Sequence, residues 1–492
     1  MRVLFRCDIS ESIGMGHFSR CLVLSEELAK HNLYSSFHIK NIDRLPIPKI
    51  RNDFIDVHEV FIPLVNRDVE SEWPDEVQVE DAISLESKVL NSDLIVVDHY
   101  GLSSRFIEMV KHTKPTIKTL FITDFICSDM ALDFLLNSSR LCKISDFESY
   151  SNFVGKYLLG NDYALVNSKF LDIRGESQVK HAKGYFRGNL LICFGGVDNR
   201  SLTLRFLEDR LATLFNEVRI LMSSSSTDIT EIRGFCSRFE NVTLIVDDFE
   251  MQDQMLWADV MLGSPGGMSW ERAVMSLPSV LVVSAKNQLD NARYFSGIGA
   301  SYILDNTNRL MEDFIKFVFK LSGNGYSGMV SSNFSICDGL GSQRIVMQIL
   351  AAFYPPKLSK ISSDDSYQIW KWQNEPEARK YSYNSNPPTI EEHNKWFENL
   401  SVFELDNFFM VEIKGAKCGF VRLSNDGSDR FLVSILIGGS SQKIGLATRV
   451  LKEIVRRYKG RLKAEIKITN EASKTCFKRS GFIFNDGDEY IA

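Results

Sequence analysis

His17 closes the run Arg6-Cys7-Asp8-Ile9-Ser10-Glu11-Ser12-Ile13-Gly14-Met15-Gly16-His17, and an amphipathic stretch follows at once. Gly14 and Gly16 permit tight turning and close backbone approach to a ligand. A helix start just beyond them favours an anion. A neutral imidazole in such a strand-to-helix loop can take a proton from water as a general base. It can equally cap or pack the helix start, and the glycines match neither GxGxxG nor a P-loop. A second constellation is Gly263-Ser264-Pro265-Gly266-Gly267-Met268-Ser269-Trp270-Glu271. Amide N–H groups of Gly266, Gly267 and Ser269 would converge on a diphosphate. Glu271, one turn later, suits ribose hydroxyls, although acidic residues favour a helix first turn in any case. Gly195 and Gly196 offer a further loop. A third constellation is Gln442-Lys443-Ile444-Gly445-Leu446-Ala447, whose small residues before a helix again suit a pyrophosphate, with charge added by Lys443. An ordinary glycine-bearing turn is the plainer reading of it.

These loops need strands and helices to hold them. Apolar runs at 3–7, 36–39, 94–98 and 117–123 read as strands, and a second series follows at 190–194, 218–222, 242–246, 260–262 and 280–284. Amphipathic stretches at 18–30, 202–215 and 288–295 lie between them. Alternation of this kind builds βαβ units, and continuous apolar strands imply parallel sheets covered on both faces. Two such series predict two doubly wound Rossmann-like domains, 1–165 and 166–352, with ligands in the cleft between them. Asp98 ends a strand, so it either faces that cleft or caps the following loop. The stretch 353–366 carries paired prolines and small polar residues and reads as a linker. Residues 367–492 form an α+β domain: helical material at 369–400, strands at 408–413, 419–423 and 431–437, a helix over 445–458, and a strand at 463–468.

The bulk properties bound the function. A chain of 492 residues holds about three domains of ~150 residues. Its net charge of −6 gives no basic field for nucleic acid or an anionic membrane. The nine cysteines are odd in number and lack a CxxC pair, which argues against a disulfide framework or a zinc site and fits a reducing compartment. The start MRVLFRCD reads as a strand and a polar loop, not a signal peptide, and no apolar run approaches the ~18 residues of a membrane helix. The expectation is a cytoplasmic protein with no metal and no membrane or nucleic-acid partner.

The run RCDISESIGMGHFSRC resembles the opening of the UDP-sugar hydrolases of pseudaminic acid biosynthesis, through Arg6, Asp8, Gly14, Gly16, His17 and Arg20. The likeness continues in Asp98-His99-Tyr100-Gly101, Thr123-Asp124, Leu136-Asn137, Gly160-Asn161-Asp162-Tyr163-Ala164-Leu165 and Phe194-Gly195-Gly196-Val197-Asp198. It implies that His17 is the base for water attack at the anomeric carbon, with Asp8 and Tyr100 beside it. Arg6, Gly14, Gly16, Arg20, Asp98, Gly195 and Gly196 would line the UDP-sugar site. The Gly266, Gly267, Ser269 and Glu271 loop is similar to the nucleotide site of MurG-like GT-B glycosyltransferases. Their pattern continues through Leu277-Pro278 to Asn287-Gln288.

In the last domain, the run Gln442 to Ala447 resembles the CoA-pyrophosphate loop of GCN5-related N-acetyltransferases. Asn470-Glu471-Ala472-Ser473-Lys474-Thr475-Cys476-Phe477-Lys478-Arg479-Ser480-Gly481-Phe482 is similar to that family's run along the pantetheine arm. The resemblance implies acetyl-CoA contacts at Ile435, Ile437, Gln442, Lys443, Ile444, Gly445, Leu446, Ala447, Asn470, Ser473 and Phe477. Phe477 stands where many relatives have a tyrosine that protonates the thiolate, and a phenyl ring has no proton to give. His393 and Trp396, three apart, share a helix face that reads as packing or as an acceptor site, and Glu412 reads as a base or an exposed strand residue. Together the resemblances imply acetylation of a UDP-4-amino sugar followed by loss of UDP. Two alternatives stay open: sugar transfer to an acceptor other than water, and a GNAT-like module that binds without transferring.

Overall fold

The computed structural model describes residues 1–10, 13–41, 47–48, 50, 52–59, 71–125, 130–138, 143–146, 155–183, 186–195, 202–248, 250–283, 288–304, 310–321, 324–382, 384–425, 427 and 429–492. Among them the chain builds three sheets. The first holds β1 (Arg2–Ile9), β2 (Tyr34–Asn41), β3 (Ile55–Glu59), β4 (Leu94–Asp98), β5 (Lys118–Ile122), β6 (Phe134–Asn137) and β7 (Lys156–Leu159) in the order β3-β2-β1-β4-β5-β6-β7. Every neighbouring pair is parallel. The second holds β8 (Asn189–Cys193), β9 (Glu217–Met222), β10 (Val242–Val246), β11 (Val260–Gly263), β12 (Ser279–Leu281) and β13 (Ser301–Ile303) in the order β10-β9-β8-β11-β12-β13, again all parallel.

Both orders are doubly wound, and each reverses at one point: between β1 and β4 in the first sheet, and between β8 and β11 in the second. Crevices for ligands open beyond the carboxyl ends of the strands at such points. The His17 loop follows β1, and Asp98 is the last residue of β4. Gly195 follows β8, and the 264–267 loop follows β11. The topology thus carries each of these loops to a switch point.

Parallel strands buried on both faces must be apolar throughout, and β4 is buried at all five positions. In the second sheet alternate residues serve opposite cores. Leu190, Ile192, Ile220 and Leu262 pack with Phe206, Phe314 and Phe317. Leu191, Cys193, Met261 and Leu281 pack with Phe170, Trp270 and Phe295. Each such side chain is worth ~1.5–3 kcal/mol of burial. Gly263 is required by closeness: a Cβ there would lie 2.3 Å from the Cys193 carbonyl oxygen on the neighbouring strand. The expected single helix over 202–215 is instead a helix Leu202–Glu208 and a 3-10 turn Leu211–Leu214, separated by Arg210 at φ +56°.

The chain divides into two compact units, Met1–Ser342 and Gln343–Ala492. The second unit holds β14 (Lys357–Lys360), β15 (Phe408–Ile413), β16 (Ala416–Asn425), β17 (Phe431–Ile437), β18 (Leu462–Glu465), β19 (Ile483–Asp486) and β20 (Glu489–Ile491) in the order β14-β15-β16-β17-β18-β20-β19. The expected linker at 353–366 is corrected here. Lys357–Lys360 pairs antiparallel with β15, and the turn Ser363–Asp365 is closed by a capping box from Ser362 and tied by Lys417 to Asp365 at 2.6 Å. β17 pairs with β16 along its length but with β18 only at Phe431 and Leu432. The two strands therefore part from Val433 onward, just before the 442–447 loop.

No helix among the described residues is long and apolar enough to cross a membrane.

Candidate active site

Helix Gly16–Ala29 begins two residues before the expected start, so His17 lies in its first turn. The preceding loop is closed by Gly14 N–H donating to the Ser10 carbonyl at 2.7 Å and Ile13 N–H to Ser10 Oγ at 3.0 Å. Gly14 adopts φ +74°, a region that side chains other than glycine's rarely enter. His17 is 6% exposed. Its Nδ1–H donates to Asp98 Oδ1 at 2.5 Å, which fixes the tautomer and leaves Nε2 as the acceptor. Nε2 makes no hydrogen bond among the described residues. The Tyr100 ring stands edge-on to the imidazole, 4.5 Å between centroids.

Asp98 is fully buried and also accepts both Nε–H and Nη2–H of Arg20, the latter at 2.6 Å. Burial pushes the Asp98 carboxyl up, but Arg20 and His17 outweigh it and hold the group at about 2. Arg20 Nη1 reaches Asp124 Oδ1 and Oδ2, each at 2.9 Å, and Tyr100 O–H donates to Asp124 Oδ2 at 2.5 Å. Burial and then the Asp124 charge push the Tyr100 phenol well above its ordinary range, so it stays protonated. The result is a chain of groups: His17, Asp98, Arg20, Asp124, Tyr100.

A second lattice lies alongside. Arg6, with no exposed surface, forks onto Asp81 with two bonds of 2.8 Å and onto Asp8 with its other face. Asp8 also accepts the Lys40 amide at 3.0 Å and His99 Nε2–H at 2.9 Å. Gly101 N–H donates to His99 Nδ1, which assigns the neutral Nε2–H tautomer. Burial alone would raise the Asp8 and Asp81 carboxyls, yet Arg6 foremost holds both far below the ordinary carboxylate range.

Several expectations are corrected by this geometry. Arg6 and Asp8 are buried within their own ion pairs and present almost no surface, so they read as a supporting lattice and not as ligand contacts. Asp98 points under His17, not outward. Arg20 is committed to two carboxylates. Asp81, Lys40 and Asp124 were missed as members of the site. Asp124 carried a signal, since it follows β5 in the first sheet, whereas Asp81 sits on a surface-patterned helix far along the chain and carried none.

In the second sheet, helix Met268–Val274 follows the 264–267 loop. Ser269 is buried; its amide donates to the Gly266 carbonyl and its Oγ accepts from Arg272 Nη2 at 2.7 Å, so it braces the loop and does not present a ligand contact. Arg272, missed in the sequence, is buried, also holds the Ser264 carbonyl, and leaves Nη1 without a partner among the described residues. Burial brings it down to about 10. Glu271 is half-buried, its carboxyl makes no hydrogen bond among the described residues, and burial against a weaker pull from Arg272 puts it at about 7. Gly267 is exposed, Gly266 half-buried, and Gly195 takes φ +99°. Gln288 precedes helix Leu289–Gly297. Gly196 and Asn287 lie outside the described residues. Among those residues no group of His, Cys, Asp or Glu is placed to hold a metal ion.

In the second unit Gly445, at φ +74°, is the N-cap of helix Leu446–Arg457, with no side-chain cap. The first-turn amides, Leu446 and Ala447 among them, therefore face away from any intrahelical acceptor. Gln442 Nε2–H donates to the Ile437 carbonyl at 2.9 Å and pins the loop to the end of β17, while Lys443 is exposed. Ile444 and Leu446 are buried, so their contribution is packing. Ile435 lies on the parted length of β17, half-buried. Asn470 caps helix Glu471–Arg479, accepting from the Ser473 amide at 3.1 Å. Phe477 is 5% exposed and packs edge-on against Phe482 at 4.8 Å, so it is a core residue and not a surface for the pantetheine arm. His393 is buried between Trp396 and Phe397, with Nε2 on the Ser366 carbonyl at 2.9 Å: a packing residue. Glu412 accepts from Ser359 Oγ at 2.6 Å.

The class is set by the two doubly wound sheets and the mixed third sheet, and residues 357–483 match the family model of the acetyltransferase (GNAT) domain. Among solved structures, MurG of Acinetobacter baumannii is similar with a TM-score of 0.46 and 13% identity, over 70% of this chain and 98% of that one. Over 301 residues, 61% of this chain and 97% of the relative, the chain is 25% identical to the UDP-2,4-diacetamido-2,4,6-trideoxy-beta-L-altropyranose hydrolase of Campylobacter jejuni. An uncharacterized protein of Methanocaldococcus jannaschii is 22% identical over 465 residues, 89% of this chain and 86% of that protein. The chain thus joins a unit similar to a UDP-sugar hydrolase to a C-terminal GNAT domain.

Proposed function

We propose that the chain is a bifunctional nucleotide-sugar enzyme. The GNAT domain acetylates the 4-amino group of UDP-4-amino-4,6-dideoxy-N-acetyl-altrosamine with acetyl-CoA. The first unit then hydrolyses UDP-2,4-diacetamido-2,4,6-trideoxy-L-altrose to free sugar and UDP. The observation that carries the hydrolytic half is His17: an imidazole fixed through Nδ1 by a buried carboxylate, with Nε2 open, at the switch point of a sheet in the part similar to the C. jejuni hydrolase.

In this reading water gives a proton to His17 Nε2 as its oxygen bonds to the anomeric carbon. The bond from that carbon to the diphosphate oxygen breaks, and UDP leaves with the electron pair through an oxocarbenium-like state. Amides of Gly266, Gly267 and Met268, which make no hydrogen bond among the described residues, face the diphosphate and stabilise its growing charge. Glu271, partnerless and at about 7, accepts from ribose hydroxyls when ionised.

In the GNAT domain, the substrate amine attacks the acetyl carbonyl carbon. The attacking nitrogen gives up a proton to solvent, the carbon–sulfur bond breaks, and the CoA thiolate takes a proton from water, since Phe477 has none to give. The amides at Gly445–Ala447 hold the pyrophosphate, and Ile435 on the parted β17 lies along the pantetheine arm. The buried ring of Phe477 favours a second reading, in which this domain binds CoA without transferring.

The test supplies the UDP-4-amino sugar with and without acetyl-CoA and follows free CoA and free UDP. CoA release followed by UDP release that His17→Ala abolishes supports two working sites in this order. UDP release from pre-acetylated sugar with no CoA formed supports the silent domain. No UDP from either sugar overturns the hydrolase reading.

A further inference from the structure

Asp98 serves two partners with one carboxylate. Oδ1 accepts from both His17 Nδ1 and Arg20 Nη2, and Oδ2 accepts from Arg20 Nε. Arg20 in turn divides its guanidinium between Asp98 and Asp124. Among the described residues, the groups that face the imidazole are Asp98 from the end of β4, Arg20 from the helix of His17 itself (its Nη2 also lies 3.3 Å from Nδ1), and Tyr100 from the loop after β4. Asp124, after β5, stands behind Arg20, and the Cys21 thiol lies 3.8 Å from Asp98 Oδ2.

We propose that Asp98 is the positioning residue of His17, and that Arg20 sets how strongly Asp98 favours the imidazolium, so that the Arg20–Asp124 pair tunes the pH at which His17 becomes a base. The proposal rests on His17 being the base of the hydrolytic reaction.

The physical argument has two steps. A carboxylate that accepts a histidine's Nδ1–H fixes tautomer and ring orientation and stabilises the protonated ring. A carboxylate already forked by a guanidinium has part of its charge and lone-pair capacity taken, so it stabilises the imidazolium less. Asp98 is held at about 2, so it keeps its charge and takes no proton itself at any pH where the enzyme would work. Asp124, 26% exposed at its side chain, pulls Arg20 the other way: the more firmly it holds Arg20, the more of Asp98 is left to His17. Neither Asp98 nor Arg20 is then free to bind sugar.

The experiment labels the histidines with 15N and 13C in the full-length chain and follows the His17 ring by NMR against pH, with its signal assigned among the eight histidines by its loss in His17→Ala. Arg20→Met is expected to raise the His17 pKa by about one unit, since a one-unit change is a modest differential interaction for a removed close charge. Asp124→Asn is expected to lower it by a smaller amount, the opposite sign. Asp98→Asn is expected to lower it and to broaden the Nδ1–H signal. In the Asp98→Asn background the Arg20→Met shift should shrink to less than a third, because the effect passes through Asp98; an undiminished shift there would mean a direct charge effect and would overturn the proposal. So would shifts of the same sign for Arg20→Met and Asp124→Asn. Circular dichroism reports folding for each variant, and the half-exposed Asp124 keeps a variant available if changes at the buried Asp98 unfold the unit. In kinetics, the acidic limb of kcat/KM should move with the NMR value while KM stays within a few-fold. If His17→Ala hydrolyses UDP-sugar as well as wild type, the reading of His17 as base fails, whereas the NMR shifts still decide the pairing.

Discussion

Around His17, the polar and charged side chains are bound to one another: Asp98 to His17 and Arg20, Asp124 to Arg20 and Tyr100, Asp8 to Arg6 and His99, and Asp81 to Arg6 and Lys40. Around Gly445 the material is different. No side chain caps the helix, Ile444 and Leu446 point into the core, and what the loop presents beside the exposed Lys443 is backbone. The 266–268 loop follows the second plan, with Ser269 and Arg272 bracing it from behind. A site that moves a proton needs a titratable group held in one tautomer, and a lattice of ion pairs does the holding. A site that cradles phosphate needs amides and close approach, and glycine is enough. The comparison teaches that charge near a reaction centre is not charge offered to a ligand.

Four substitutions probe that contrast. His17→Ala should lower kcat for UDP release by ~10²–10⁴-fold, the usual worth of a general base, while CoA release in the same assay is unchanged. Asp8→Ala should act on stability: removing one partner of a buried pair costs ~3–5 kcal/mol, measured by urea unfolding, and KM for UDP-sugar of the folded fraction should stay within a few-fold. A raised KM with unchanged stability would return Asp8 to the ligand side of the comparison.

The third prediction concerns pH. His38 is buried, neither ring nitrogen has a partner among the described residues, and burial foremost brings it down to about 4. Between an unfolded value near 6.5 and that folded value, the unfolded chain binds the extra proton, so stability falls as pH drops from ~6.5 toward 4, by on the order of 3 kcal/mol. His38→Leu should flatten that decline in urea titrations and cost little at pH 7, since no hydrogen bond is lost. The depressed carboxyls of Asp8, Asp81 and Asp98 act in a lower window: their contribution is present above ~4 and is lost as pH falls toward 2 and below. The smallest effect is expected at the backbone site. Gly445→Ala forces a side chain into φ +74°, where nothing crowds its Cβ, so only the conformational cost of ~1–2 kcal/mol applies. Acetyl-CoA binding by calorimetry should weaken about tenfold, with UDP release from pre-acetylated sugar unchanged.

The two parallel sheets were legible because strands buried on both faces are apolar without a break, as in Leu94–Asp98 before its terminal carboxylate. Short or half-exposed strands were not. Ile55–Glu59 alternates with charges, and Lys357–Lys360, polar and preceded by two prolines, read as linker because the partner that makes it a strand, β15, lies some fifty residues on. In the sites, the glycine-bearing loops 263–271 and 442–447 stood out by composition together with family resemblance, and their reading as phosphate cradles belongs to the proposed function. The side-chain site was legible in its types, while the pairing of Arg6 with Asp81 and of Arg20 with Asp124 was not. Arg6 looked like a ligand-binding arginine because nothing local showed Asp81, 75 residues away, closing on it. Phe477 was visible as a departure from the sequence, and its packing on Phe482 explains what the ring does there instead.

The most direct test of the central claim is hydrolysis of UDP-2,4-diacetamido-2,4,6-trideoxy-L-altrose in 18O-water, with the UDP analysed by mass spectrometry. Water activated by His17 at the anomeric carbon leaves the released UDP unlabelled, and His17→Ala stops its release. Label in the UDP would place the attack at phosphorus and contradict the account.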